Sequence, residues 1–236
     1  MLERVFNIAP GVVGGFVAPA CGEGDAAERY GIVCPCQTHT ANVGILSHPG
    51  ESFPETDAIV TRLKGVRIGV RTADCVPVVL YAPGADVIAV VHAGWKGTLA
   101  GIVRETLGVM SRLGADMEDV LAFFGPSICC GCFEVAPELA TLFGSHGFGS
   151  CVATTGFADP LTGEPMDVAR PHINLEECNV ILLRRAGVAE ANIRRSGICT
   201  RHSCLPDGCG GVSRLPSWRR ENGTTRRIVT WIGLGI

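Results

Sequence analysis

Three short segments carry side chains able to bind a metal: QTHT (37–40), TADC (72–75) and VHAGW (91–95). His39 stands in a loop ahead of Val43, Cys75 precedes the apolar run 76–81, and His92 ends the apolar run 87–91. If those two runs pair as a hairpin, Cys75 enters the first strand where His92 leaves the second, so both reach the same end of a sheet. Two imidazoles and one thiolate suit zinc, whose catalytic sites keep three protein ligands and one open position for water or a substrate oxygen. Copper accepts the same donors, so residue type leaves both metals open. A lone histidine or cysteine at a strand end is more often structural, and no HExxH or CxxC…CxxC pattern strengthens the case from spacing.

The neighbours of these residues have chemistry of their own. Asp74 could orient a ligand, accept a proton in catalysis, or cap the following turn. Arg71 could grip an anion or be a solvated charge. Gly94 and Gly97 lie between the run 87–91 and the next helical pattern, where backbone N–H groups at a helix start could face a phosphate; glycines also allow close strand–helix packing. Trp95 could line the pocket, stack on a base, or be a core residue.

The elements that must position these groups read as follows. Segments 76–81 (VPVVLY) and 87–91 (VIAVV) are predicted buried strands, separated by a turn at Pro83, Gly84 and Asp86. Apolar residues at helical spacing predict one helix over 99–113, ending before Gly114. Further expectations are a strand at 120–124, a short helix at 135–143, a helix at 174–186 capped by Asn174 and closed by Gly187, and a last strand at 228–232. The Gly-rich stretch 144–163 reads as a surface loop. Interleaved strands and helices imply an α/β or α+β fold, expected as a single domain over residues 1–236 with a mixed β-sheet and flanking helices.

Bulk composition narrows the function classes. The 236 residues are 47% hydrophobic and 18% charged with a net charge of −3, which suits a globular chain and argues against a broad nucleic-acid surface. No apolar run reaches the 18 or so residues of a membrane span. The N-terminal stretch is interrupted by Glu3, Arg4, Pro10 and Gly11 and reads as a strand and turn rather than a secretory signal, so a cytoplasmic location is expected. The 12 cysteines then read mostly as buried or incidental thiols rather than disulfides.

Taken in order, QTHTANV, DAIVT (57–61), RTADCVPVVLY, VVHAGWKGT, GPSICCGCFEV (125–135), NLEECNVILLRRAGV and the Cys199–Thr200 pair resemble the multicopper polyphenol oxidase/laccase-domain family. That family is also described as cytosolic purine nucleoside phosphorylases and includes the bacterial peptidoglycan editing factor. The resemblance runs from about residue 36 to the C-terminus, and the interval from TADC to HAGW is its most specific part. It implies a zinc ion on His39, Cys75 and His92 and a four-layered fold with a mixed sheet. It also implies phosphorolysis of adenosine, inosine or methylthioadenosine, with adenosine deamination, the partners being a purine nucleoside and phosphate. Alternative expectations on the same site are a peptidoglycan-precursor editing hydrolase, a copper-dependent polyphenol oxidase, or a metal-stabilised binding module. The chain's six histidines are few for multicopper chemistry.

Two stretches depart from the family pattern. The SLNLG-like motif and the helix usual before the QxH segment are absent. The usual FSYRR…TGR ending is replaced by LPSWRRENGTTRR (215–227), in which Arg219, Arg220 and Arg227 align, Trp218 stands where tyrosine is usual and Arg226 where glycine is usual. Cys199, Cys204 and Cys209 match no common zinc spacing and are not expected to form a second site.

Overall fold

The computed structural model describes residues 2–19, 24–154, 170–206 and 212–236. The chain opens with the hairpin β1 (Leu2–Ala9) and β2 (Val12–Ala18), a short helix α1 (Ala26–Arg29) and strand β3 (Ile32–Val33). Strands β4 (Val43–Leu46), β5 (Ala58–Thr61), β6 (Val66–Thr72), β7 (Val76–Ala82) and β8 (Val87–Ala93) follow. Helices α2 (Trp95–Ala100) and α3 (Ile102–Arg112) lead to β9 (Leu121–Phe124) and α4 (Pro137–Phe143). The remainder comprises β10 (Val152–Ala153), β11 (His172–Ile173), α5 (Leu175–Arg185), β12 (Ile193–Arg195), β13 (Cys204–Pro206), β14 (Val212–Arg214), α6 (Trp218–Glu221) and β15 (Ile228–Leu234).

Two mixed sheets form the body, a five-stranded one in the order β1-β2-β15-β6-β3 and a six-stranded one in the order β12-β9-β7-β8-β5-β4. Strand periodicity explains how they stack. In β7 and β8 one set of alternating residues (Val78, Leu80, Ala89, Val91) packs against the Ile102, Leu107 and Met110 face of α3. The other set (Val79, Tyr81, Ile88, Val90) meets Ile68, Val70, Ile232 and Leu234 of the five-stranded sheet. Beyond that sheet, Val229 and Trp231 pack with Ala26 and Ala27 of α1. The layers therefore run helices, sheet, sheet, short helix, in agreement with the α/β expectation. The central strands are apolar throughout because both their faces are covered.

The hairpin reading of β7 and β8 holds: they pair antiparallel with Pro77 opposite His92 and Val76 opposite Ala93. The turn between them closes on Asp86 in the left-handed region (φ 51°). Helix α5 also follows its sequence signals, with the Asn174 side chain accepting from the Glu177 N–H at 3.0 Å and Gly187 just beyond its end at φ 98°.

Three expectations need correction. The predicted helix over 99–113 is two helices, because Gly101 adopts φ 84° and caps α2 before α3 begins; a glycine in a helical pattern lets the chain turn where apolar spacing alone sees continuity. The helix expected at 135–143 starts at Pro137, since the Val135 N–H is committed to the Pro171 carbonyl and Ala136 is extended. Residues 144–151 form tight helical turns rather than a surface loop, with Phe148 and Cys151 buried, and 155–163 lie outside the described residues. Among the described residues no helix is long and apolar enough to cross a membrane.

Replacing Gly101 by alanine should cost about 1–2 kcal/mol, the strain of a Cβ in the left-handed region, since its Cβ would also come within 3.0 Å of the Arg104 side chain. A urea midpoint that does not fall would show that the break between α2 and α3 relaxes without penalty.

Candidate metal centre

The ends of β7 and β8 and the loop before β4 bring His39, Cys75 and His92 together, their donor atoms all within 4.8 Å of one another. Cys75 Sγ lies 3.8 Å from His39 Nε2, and the two imidazole rings meet edge to face with centroids 4.8 Å apart. A tetrahedral ion bonded at about 2.0 Å to nitrogen and 2.3 Å to sulfur has nitrogen–nitrogen and nitrogen–sulfur edges of about 3.3–3.5 Å, so this donor set can close on one such ion by drawing its side chains inward.

The carboxylate of Asp57, the first residue of the DAIVT segment, organises the cluster. It is fully buried and accepts from the backbone N–H groups of Thr38 (3.2 Å), His39 (3.0 Å) and Thr40 (2.7 Å) and from the Thr40 hydroxyl (2.8 Å). Three successive amides directed at one anion form a nest, and this one holds His39 at φ 63°, a conformation side-chain-bearing residues seldom adopt. The same carboxylate pairs with His92 Nδ1 at 2.7 Å, which leaves Nε2 for a metal. Metal-binding histidines are commonly oriented by a carboxylate in this way. The Gln37 side chain ties this loop to β6 through reciprocal 2.8 Å bonds with the Arg71 backbone.

These contacts set the charge states. Burial opposes ionisation of Asp57, but its bonds from His92 and Thr40 hold it well below the usual carboxylate range. Burial likewise opposes charge on His92, yet Asp57 and the Cys75 sulfur raise it to about 9. Cys75, opposed by burial but favoured by both imidazoles, is lowered to about 6. The metal-free cluster is therefore a thiolate beside an imidazolium.

The predicted neighbours fall into two groups. Asp74 (φ 89°) stands at the cleft with each carboxylate oxygen engaged, Oδ1 by the Thr200 hydroxyl at 2.6 Å and Oδ2 by the Arg219 backbone N–H at 2.7 Å, while its carbonyl accepts from Ile128 N–H at 2.9 Å. Arg71 borders the cleft, with its guanidinium bonded to Asp25. Gly94 and Gly97 serve close packing. A Cβ on Gly94 would lie 2.8 Å from the His39 ring and 3.2 Å from Cys75 Sγ, and one on Gly97 would lie 3.0 Å from the Thr40 carbonyl. Neither is among the residues that line the cleft, whereas Trp95 is.

The cleft over the cluster encloses about 750 Å³. Its walls include Trp95, Ile128, Phe133 and Trp218 together with the guanidinium groups of Arg219 and Arg227. Arg219 lies over the Phe133 ring at 5.6 Å and Arg227 over Trp218 at 6.0 Å. Trp218 is 56% exposed, a large aromatic surface turned to the cleft mouth. Asp57 and Thr200 escaped the sequence reading as functional residues. Asp57 had a usable signal, an acid at the head of an apolar strand; Thr200 had its place in the Cys199–Thr200 pair, which assigns it no partner without the third dimension. Of the three C-terminal cysteines not expected to form a site, Cys204 is exposed and Cys209 lies outside the described residues, while Cys199 gathers with Cys129, Cys132 and His202, a grouping the sequence reading missed. The spacings Cys129-x-x-Cys132 and Cys199-x-x-His202 were the signal for that group.

A layered α/β fold with a His–Cys–His cluster at the floor of an aromatic cleft defines the class: an α/β protein with a candidate metal centre. Residues 21–235 match the family described as multi-copper polyphenol oxidoreductase laccase, and the chain belongs to that family. It is 38% identical over 179 residues to adenosine deaminase RL5 of an unknown prokaryotic organism, covering 72% of this chain and 65% of that protein. It is 36% identical over 198 residues to a purine nucleoside phosphorylase of Deinococcus radiodurans, covering 84% of this chain and 68% of that one. The matched region thus spans about two thirds of the length of these relatives. Among solved structures, it superposes on the hypothetical protein YfiH of Bacillus licheniformis with a TM-score of 0.77 at 24% identity, covering 94% of this chain and 92% of that one. YlmD from Geobacillus stearothermophilus superposes with a TM-score of 0.73 at 25% identity, over 95% and 92%.

Replacing Asp57 by asparagine should weaken metal binding about 10–100-fold, the usual effect of removing such a carboxylate, as read by competition with a chromogenic chelator; unchanged affinity would remove Asp57 from its organising role. In metal-stripped protein, iodoacetamide labelling of Cys75, followed by peptide mass spectrometry, should level off above about pH 6 and fall tenfold per pH unit below it. An inflection at the ordinary thiol value of 9.0 would contradict the thiolate–imidazolium pair.

Proposed function

We propose that this chain is a zinc-dependent purine nucleoside enzyme, cleaving inosine, adenosine or methylthioadenosine with phosphate and deaminating adenosine. The observation that carries the proposal is the His39–Cys75–His92 cluster at the floor of a cleft whose walls are aromatic and cationic. The names borne by its relatives, purine nucleoside phosphorylase and adenosine deaminase, support the same substrate class.

Bound zinc supplies a Lewis acid with one open position, able to activate water or polarise an oxygen near neutral pH. Three protein donors, rather than four, leave that position free. The faces of Trp95, Phe133 and Trp218 offer flat apolar area for a purine base. Arg219 and Arg227 place positive charge beside them, suited to phosphate. Arg71 borders the same wall with its guanidinium paired to the Asp25 carboxylate. Asp74 joins the cleft wall to the cluster, since it precedes Cys75 in sequence and anchors Thr200 and Arg219 from distant segments. In this reading it fixes the geometry and presents a carboxylate to the substrate.

The two reactions balance differently and so can be separated. Phosphorolysis converts a nucleoside and phosphate to a free base and the sugar 1-phosphate (ribose 1-phosphate from inosine or adenosine, its 5-methylthio analogue from methylthioadenosine), with the glycosidic bond broken and a C–O bond to phosphate formed. Deamination converts adenosine and water to inosine and ammonia. With inosine, the wild type should release hypoxanthine only when phosphate is present; undiminished release without phosphate would sink phosphorolysis. Cys75→Ala should lose the zinc of this cluster and lower both activities by two orders of magnitude or more. Zinc retained by the wild type with no turnover of inosine or adenosine would overturn the nucleoside reading itself.

A further inference from the structure

A second set of metal donors lies outside the cleft. Cys129, Cys132, Cys199 and His202 place one donor atom each within 4.8 Å of one another. Two tight turns build it. In the first, the Cys132 and Phe133 N–H groups donate to the Cys129 carbonyl at 3.0 and 3.1 Å, folding the Cys-x-x-Cys loop back on itself. In the second, the Ser203 N–H donates to the Cys199 carbonyl at 2.9 Å and the Ser203 hydroxyl accepts from the Cys199 N–H at 3.0 Å. A parallel bridge between Ser127 and Cys199 sets the turns face to face, although some 70 residues separate them in the chain.

The geometry points to a structural zinc site with three thiolates and one imidazole. Its edges fit: Cys132 Sγ and Cys129 Sγ lie 3.4 and 3.9 Å from His202 Nδ1, against about 3.5 Å for the sulfur–nitrogen edge of a zinc tetrahedron. The Cys129 backbone N–H donates to Cys199 Sγ at 3.4 Å. That amide is placed as the second-sphere donor a metal-bound thiolate accepts from. Cys132 and Cys199 are buried and the other two donors are half-buried, so the cluster is closed on the protein side. All three cysteines are free thiols. A disulfide between any two would strand the third sulfur and the histidine, whereas one tetrahedral ion uses all four donors.

Four protein donors leave no open position, so this ion acts on structure rather than chemistry. Around it the buried apolar cluster is small: Ile128, Cys132 and Cys199, with Cys129 and Phe133 packed against them and Phe133 linking them to the main core. A metal cross-link supplies there what hydrophobic area does not. It would tie segment 129–132 to segment 199–202, whose Thr200 hydroxyl bonds Asp74 and whose Thr200 and Arg201 carbonyls accept from Arg220. The second ion thereby fixes the wall of the cleft from behind. Binding replaces three thiol protons and releases them to solvent, with no change of oxidation state.

The test counts metal in untagged protein prepared under reducing conditions, by plasma mass spectrometry. Wild type should carry two zinc ions per chain, Cys75→Ala one, Cys129→Ala/Cys132→Ala one, and the triple variant none. As a second readout, Cys75→Ala stripped and refilled with cobalt(II) should show tetrahedral ligand-field bands and thiolate charge-transfer absorption, both lost in Cys75→Ala/Cys129→Ala/Cys132→Ala. One zinc in wild type that disappears with Cys75→Ala, or reduced Cys75→Ala that takes up no cobalt(II), would overturn the second site. Neither result depends on whether nucleosides are turned over.

Discussion

The buried Asp57 carboxylate is the interaction on which the cleft depends. An ionised carboxylate removed from water is tolerated only when its oxygens are well paired. Here the partners are three consecutive loop amides, one hydroxyl and His92. The anion thus holds the 38–40 loop in a conformation it would not otherwise keep and turns His92 so that Nε2 faces the other donors. Its own pairing is maintained by the position of β5, whose edges are fully occupied by β4 and β8. The His92 N–H also donates to the Asp57 carbonyl at 2.8 Å, so backbone and side chain of this residue hold the same histidine.

Rigidity beneath the cleft comes from the stacking of the two sheets. Strands β7 and β8 are apolar on both faces because one packs on helices and the other on the second sheet. Cys75 and His92 emerge from the ends of these strands, where the hairpin register cannot slip without turning apolar side chains to the wrong layer. The backbone strain sits at the same place. His39 and Asp74 both adopt positive φ, and each is held there by several hydrogen bonds rather than by local preference. That arrangement is the usual one where geometry at a site matters more than stability of the loop.

The cleft wall is assembled from segments far apart in the chain. Asp74 receives Thr200 and Arg219, and the Arg219 guanidinium reaches the Glu134 carbonyl and the face of Phe133. The region that departs most from the family's usual ending, around Trp218 and Arg226, forms part of this wall or lies beside it. Arg226 reaches the Pro19 carbonyl at 3.1 Å, so it ties the altered ending to the first hairpin rather than to the cleft. Trp218, by contrast, lines the cleft, so of the two altered positions it is the one whose side chain the cleft presents.

What the sequence by itself determined were the features written in short-range pattern. The β-branched runs of β7 and β8, the turn between them, and the caps of α5 follow from local propensity and side-chain period. The shared end for Cys75 and His92 then follows from hairpin geometry alone. Tertiary structure decided what no period records. Gly101 breaks a helix because its backbone is free to adopt φ 84°, and apolar spacing is blind to that freedom. Asp57 becomes an organiser only once folding brings the 38–40 loop and β8 to either side of it. Cys129, Cys132, Cys199 and His202 have short spacings visible as two separate pairs, but their meeting depends on the Ser127–Cys199 bridge. Local sequence specifies conformation over a few residues, whereas a site built from several strands is specified by the packing that makes those strands neighbours.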